Sequence, residues 1–152
     1  MEKIKDLTKL KLVIAGGTNN SSAKIVDYLS NSCISDRIIL TGYISDEELA
    51  WCYKNAEMLL FCSLYEGFGL PPLEAMISET PVISSNITSI PEVVGNAGIL
   101  VDPYNIDEIS SAILKLENNS QFKNYLITRG LERYKLFTWE KTAEMTLEIF
   151  RY

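Results

Sequence analysis

Glu66 and Glu74 bracket the stretch GFGLPPL, which joins an apolar run to a set of helix formers. Gly67 and Gly69 carry no side chain that would keep a ligand from the backbone. Pro71 and Pro72 suit a first helical turn, where their missing N–H groups cost nothing. The N–H groups of Phe68, Gly69 and Leu70 are then free at a helix start, with the helix dipole behind them. That is a site for an anion, and a diphosphate is a natural occupant. Glu66 precedes the site and can accept hydrogen bonds from hydroxyls on one side of it. Glu74, about one turn into the helix, can reach a diol on the other, as carboxylates in nucleotide folds hold a ribose. Sugar, diphosphate and ribose in that order describe a sugar nucleotide. The same residues also suit a plainer arrangement, two glutamates on a solvated helix start favoured by the dipole. Spacing alone leaves both readings open.

Composition removes other chemistry. The chain has no histidine, which excludes a Ser-His-Asp triad, a histidine base and the usual zinc sites. Its net charge of −6 comes without a lysine or arginine run, so the footprint of a nucleic-acid binder is absent. Cys33, Cys52 and Cys62 stand in no metal-ligand spacing and read as buried, reduced thiols of a cytoplasmic protein. No signal-like segment or membrane-length apolar run occurs.

The elements that must position the two glutamates follow from the apolar pattern. KLVIAGG, RIILTG, MLLFC, PVISS and AGILVD are short aliphatic runs alternating with helical spacing, the first helix over residues 21–32. Such runs suit parallel strands covered on both faces, and the alternation predicts one α/β domain over residues 1–152 with a Rossmann-like, doubly wound parallel sheet of about five strands. Ser45 or Asp46 is the predicted N-cap of the second helix. In open parallel sheets ligands lie beyond the carboxyl ends of the strands. Gly16, Gly17 and Gly42 fall there, as do Glu66 and its glycines. The glycines form neither GxGxxG nor a Walker loop. Trp51, Tyr53 and Phe61 read as core residues rather than a stacking platform. Phe137, Trp139, Phe150 and Tyr152 read as packing residues, some of which would be exposed and sticky where the surface they pack on lies outside these residues.

SLYEGFGLPPLEAM resembles the signature of glycosyltransferase family 4, retaining enzymes of GT-B architecture whose motif is two glutamates separated by seven residues. RIILTGYISDEELAWCYKNAEMLLFCS, PVISSNITSIPEVVGNAGILVDP and FTWEKTAE follow in the family's order. The resemblance implies the C-terminal, donor-binding half of such an enzyme. Glu66 would contact the donor sugar near its reacting carbon, and Glu74 would hold the ribose. Phe68, Gly69 and Leu70 would meet sugar and diphosphate through their backbone. Tyr43 and Ile44 would lie against the base, with Ser63 at the pocket edge. No metal or other cofactor is expected, since no Asp-x-Asp occurs and such sites neutralise diphosphate with helix ends and basic side chains.

The resemblance also implies parts not found in these residues: an acceptor domain, a first strand of the sheet, and an Arg and a Lys gripping the diphosphate. The expectation is therefore part of a transferase that moves a hexose to a glycan or lipid-linked acceptor, inactive alone and touching membrane only through the acceptor domain. A non-catalytic nucleotide-sugar-binding subunit is the rival. A flavodoxin-like signalling module would need an acidic residue after KLVIAGG, and none is there. Without its central strand, the runs at 12–15 and 58–62 must pair directly or take a strand from another chain, so self-association or marginal stability is expected. Relatives also place glycine where Glu79 stands, so Glu79 is expected to bear a left-handed backbone.

Overall fold

The computed structural model describes residues 1–17 and 23–151. Its chain divides into two compact units, Met1–Cys52 and Tyr53–Tyr152, with the boundary inside a helix. All five strands fall in the predicted runs and pair in parallel, as two ladders. Direct pairing of the first and third strands does not occur among the described residues: they belong to separate ladders.

In the first unit β1 (Leu12–Ala15) pairs with β2 (Ile38–Gly42), and α1 (Ala23–Ser30) lies between them in sequence. The predicted start of that helix, Ser21 and Ser22, lies outside the described residues. Ile4 and Ile34 are buried, and Arg37 ties the N-terminal turn down by donating to the carbonyls of Thr8 and Lys5 at 2.6 and 2.7 Å. Val13, Ile14, Ile39 and Leu40 are exposed, so the strands of this unit are not covered on both faces as expected. A two-stranded ladder with α1 and most of one further helix supplies too few layers to cover both faces. The helix α2 (Asp46–Asn55) opens with a reciprocal cap: the Ser45 N–H donates to Glu48 at 2.8 Å and the Glu48 N–H to Ser45 Oγ at 3.2 Å. Of the two predicted caps, Ser45 is the one used.

The second unit holds the parallel ladder β3 (Leu59–Phe61), β4 (Val82–Ser85) and β5 (Gly98–Val101), with β4 central and wholly buried. Parallel strands are buried on both faces, which is why β4 reads as VISS without alternation. The helices α3 (Leu70–Ile77) and α4 (Ile90–Val94) pack on it through Ala75, Met76, Ile90 and Val94, giving one apolar core with Val82 and Ala97. Two longer helices follow, α5 (Ile106–Asn118) and α6 (Ser120–Arg133), each capped by an asparagine side chain at Asn105 and Asn119. Gly130 lets α6 approach α3: a Cβ there would stand 3.1 Å from Cγ of Met76. At the end of α3, Glu79 takes φ 61°, the left-handed geometry expected of it.

Two expectations change. Trp51 is exposed, not core, while Tyr53 and Phe61 do pack against the core. No cysteine is fully buried; Cys33 is exposed. The last helix, α7 (Trp139–Phe150), has no buried residue, and Trp139 and Phe150 are exposed, as expected of some of the C-terminal aromatics. Tyr152 lies outside the described residues. No helix among them is long and apolar enough to cross a membrane.

Candidate active site

The site candidate begins where β3 ends. The chain leaves Phe61, runs through a loop of residues 62–69, and enters α3 at Leu70 with prolines in the first turn. Gly69 caps that helix with φ 114° and ψ 56°, which L side chains rarely adopt. A Cβ on Gly69 would also come within 2.7 Å of Cδ1 of Ile90. Glycine is required twice over at this position.

The loop directs its polar groups unevenly. Ser89 Oγ lies 3.0 Å from the carbonyl oxygen of Glu66 and 2.9 Å from that of Phe68, sharing its proton between them. Among the described residues no group accepts the N–H of Phe68, Gly69 or Leu70. The carbonyls thus turn to the protein while three amides at the start of a helix are left for solvent or ligand. Unclaimed amides and a helix dipole together favour negative charge at such a position.

Each glutamate is held by a hydroxyl. Ser63 Oγ donates to Oε1 of Glu66 across 2.7 Å, and Glu66 is half-buried. The Tyr53 hydroxyl donates to Oε2 of Glu74 across 3.1 Å, and Glu74 is exposed. Burial pushes the Tyr53 phenol well above its ordinary range, with the Glu74 charge and hydrogen bond adding to it. The phenol therefore stays a donor throughout the range in which proteins fold.

A cavity of about 220 Å³ adjoins one side of this site. Phe68, Leu70, Leu73 and Glu74 are among the residues that line it, with Phe137 and Trp139. Neither Glu66 nor Ser63 lines it; Ser63 holds the Glu66 carboxylate. The Phe68 ring meets Phe137 edge-on at 5.8 Å, and the Arg133 guanidinium covers Phe137 while Nε donates to the Val93 carbonyl at 3.0 Å. The loop is thereby buttressed from the α6 side.

The remaining predicted residues belong to the first unit. Gly16 donates its N–H to the Gly42 carbonyl at 3.0 Å, so that amide is taken by the chain itself. Gly17 has open space around it, Tyr43 is exposed and Ile44 half-buried. Among the described residues no group of three or more acidic or cysteine side chains is placed to hold a metal. Sequence reasoning missed the roles of Ser89 and Tyr53. Both are contacts made across the fold, 23 and 21 residues from the groups they hold.

Comparison with known proteins gives this geometry a setting. The family described as "Glycosyl transferases group 1" matches residues 1–133. The O-antigen chain mannosyltransferase B of Escherichia coli is 43% identical over 110 residues, covering 72% of this chain and 29% of that protein. The MMP alpha-(1->4)-mannosyltransferase of Mycolicibacterium hassiacum is 35% identical over 146 residues, covering 93% of this chain and 35% of that protein. Among solved structures, a complex of S. aureus TarM with fondaparinux, alpha-GlcNAc-glycerol and UDP superposes with a TM-score of 0.85 at 25% identity, over 99% of this chain and 31% of TarM. The chain thus spans about a third of the length of these relatives.

Proposed function

The chain belongs to the glycosyl transferases group 1 family, and from that premise we propose that it is the donor-binding part of a retaining glycosyltransferase. The donor is a nucleotide-diphosphate sugar, and the acceptor is a glycan or a lipid-linked sugar. The observation that carries this reading is the row of unclaimed N–H groups at Phe68, Gly69 and Leu70, set between Glu66 and Glu74. In this reading the leaving diphosphate sits against those amides and the start of α3. Fixed dipoles aimed at a developing charge stabilise it with little reorganisation as the glycosidic bond breaks.

Glu66 faces the donor sugar's hydroxyls near the reacting carbon, held in place by Ser63. Glu74 accepts from the ribose hydroxyls. The names of the relatives above favour a hexose such as mannose, and the UDP named in the TarM complex favours a nucleoside diphosphate as the common ligand. No metal is assigned to the site: the helix start and amides supply the positive field. We place the enzyme in the cytoplasm, where nucleotide sugars are made, acting on polysaccharide assembly.

Titration calorimetry with UDP, GDP and ADP tests the reading. One of the three should bind in the micromolar range, and Glu74→Ala should weaken it by about tenfold or more, the cost of losing hydrogen bonds to a charged group. Pyrophosphate should compete with the nucleotide. Equal affinity in the wild type and the Glu74 variant, or no binding of any of the three, would sink it.

A further inference from the structure

A glutamate on the exposed face of a helix normally samples many rotamers, and fixing it on a ligand costs about 1–2 kcal/mol of side-chain entropy. Glu74 is not in that position. Its Oε2 already accepts a hydrogen bond from Tyr53 at 3.1 Å. The question is whether Tyr53 itself is rigid enough to matter.

The contacts around it answer this. The Tyr53 ring packs against the core cluster that includes Ala75 and Met76, the two residues following Glu74 on α3. The Tyr53 carbonyl accepts from the hydroxyl of Thr80, which is buried, and the Thr80 N–H donates to the Ala75 carbonyl at 2.9 Å. A closed circuit results: Tyr53 to Thr80, Thr80 to the C-terminal turn of α3, and α3 back to the phenol through Glu74. Both ends of the tyrosine are thus referenced to the helix that carries the carboxylate.

We infer that Tyr53 is a positioning residue for the donor, holding the Glu74 carboxylate in the orientation that receives a vicinal diol. This rests on the reading of Glu74 as the ribose acceptor. Among the described residues only the phenol is bonded to this carboxylate, and each carboxylate oxygen has two lone pairs, so a hydroxyl can be accepted at each oxygen without displacing the phenol. The phenol does not touch the donor. Its effect is to present an acceptor already ordered before the ligand arrives, which improves affinity by removing an ordering cost.

The experiment is a double-mutant cycle on the intact chain, with wild type, Tyr53→Phe, Glu74→Ala and the double variant. Calorimetry uses whichever of UDP, GDP or ADP binds, and its 2′,3′-dideoxy counterpart. The expected result is that Tyr53→Phe weakens the ribonucleotide about three- to tenfold, the range for one hydrogen bond. It should leave the dideoxy ligand unchanged and have no further effect once Glu74 is alanine. A merely structural tyrosine would weaken both ligands alike, and that outcome overturns the inference. So does a Tyr53→Phe variant that binds the ribonucleotide as wild type does while Glu74→Ala does not. If Glu74→Ala itself fails to erase discrimination between ribo and dideoxy ligands, the reading of Glu74 falls and the inference with it. Should Tyr53→Phe fold poorly, Thr80→Val offers a second route, since it releases the tyrosine from α3 without altering the phenol. The same selective loss for the ribonucleotide is expected there, and an equal loss for both ligands again overturns the inference.

Discussion

Ser89 Oγ lies 3.0 Å from the carbonyl oxygen of Glu66, so the residue that caps α4 fixes the peptide leading into the glycine loop. The same hydroxyl stands 2.9 Å from the Phe68 carbonyl. In a trans peptide the N–H lies opposite the carbonyl, so these two contacts turn the Gly67 and Gly69 N–H groups away from Ser89. Replacing Ser89 by alanine removes the shared donor. The expected outcome is a loss of about 1 kcal/mol of unfolding free energy, the usual worth of one hydrogen bond. Urea denaturation measures it. Nucleoside diphosphate affinity should fall in parallel, because the amides lose their fixed direction.

Gly69→Ala is expected to be costlier. The backbone at φ 114° disfavours any L side chain, and the added Cβ would stand 2.7 Å from Cδ1 of Ile90. The backbone part alone is worth roughly 1–2 kcal/mol. Pairing the change with Ile90→Val removes the contacting methyl and should recover part of the loss but not all. Full recovery in urea melts would show that the contact, not the left-handed backbone, makes glycine necessary here.

Glu79 offers the opposite test. It carries φ 61° at the end of α3 with no covalent reason to do so. Glu79→Gly should raise stability by roughly 0.5–1 kcal/mol, the left-handed strain less the greater freedom glycine has when unfolded. An unchanged or lower urea midpoint would mean the glutamate side chain stabilises the turn in some other way.

Much of this arrangement was legible in the residues alone, and the limits are physical. The five strands were readable because short unalternated aliphatic runs are typical of parallel strands. The start of α3 was readable because proline preferences are local, whereas the left-handed turn at Glu79 was expected only from the resemblance to relatives with glycine there. Trp51 was misread because an aromatic at helical spacing looks the same whether or not a layer exists to cover it. The hydroxyl partners of the two glutamates escaped for a related reason. Ser63 lies within the loop and Tyr53 on a preceding helix, and only the packing of α3 brings Tyr53 to Glu74. Local periodicity carries no record of such a meeting.

Cysteine reactivity should separate by burial. Burial pushes the Cys62 thiol up from its ordinary value to about 11, while Cys33 is exposed. The thiolate is the reactive form, so Cys62 should resist iodoacetamide at pH 8 and react faster by about tenfold per pH unit as pH rises toward 11. The sign for stability runs the same way. Folding favours the protonated thiol, so its contribution is full below the unfolded value near 9 and is lost as pH rises toward 11. Mass spectrometry after timed alkylation reads both sites. Labelling of Cys62 ahead of Cys33 at pH 8 would contradict the burial seen here.

The β1–β2 ladder predicts association. Val13 pairs with Ile39 and Ile14 with Leu40, so apolar side chains lie side by side on each face of the ladder. Val13 is 48% exposed, Ile39 44%, Ile14 37% and Leu40 40%. Single exposed aliphatics are ordinary, but adjoining ones with two open strand edges invite contact with another surface. Sedimentation velocity of the 152-residue chain should therefore show mass increasing with concentration in the range of about 1–100 μM, where exposed apolar surface and open edges become sticky. Val13→Lys together with Ile14→Lys places a charge on each face and should shift the distribution toward monomer, since charged residues at strand edges block pairing. A single monomer peak across that range in the unaltered chain would mean that these faces are satisfied without a partner.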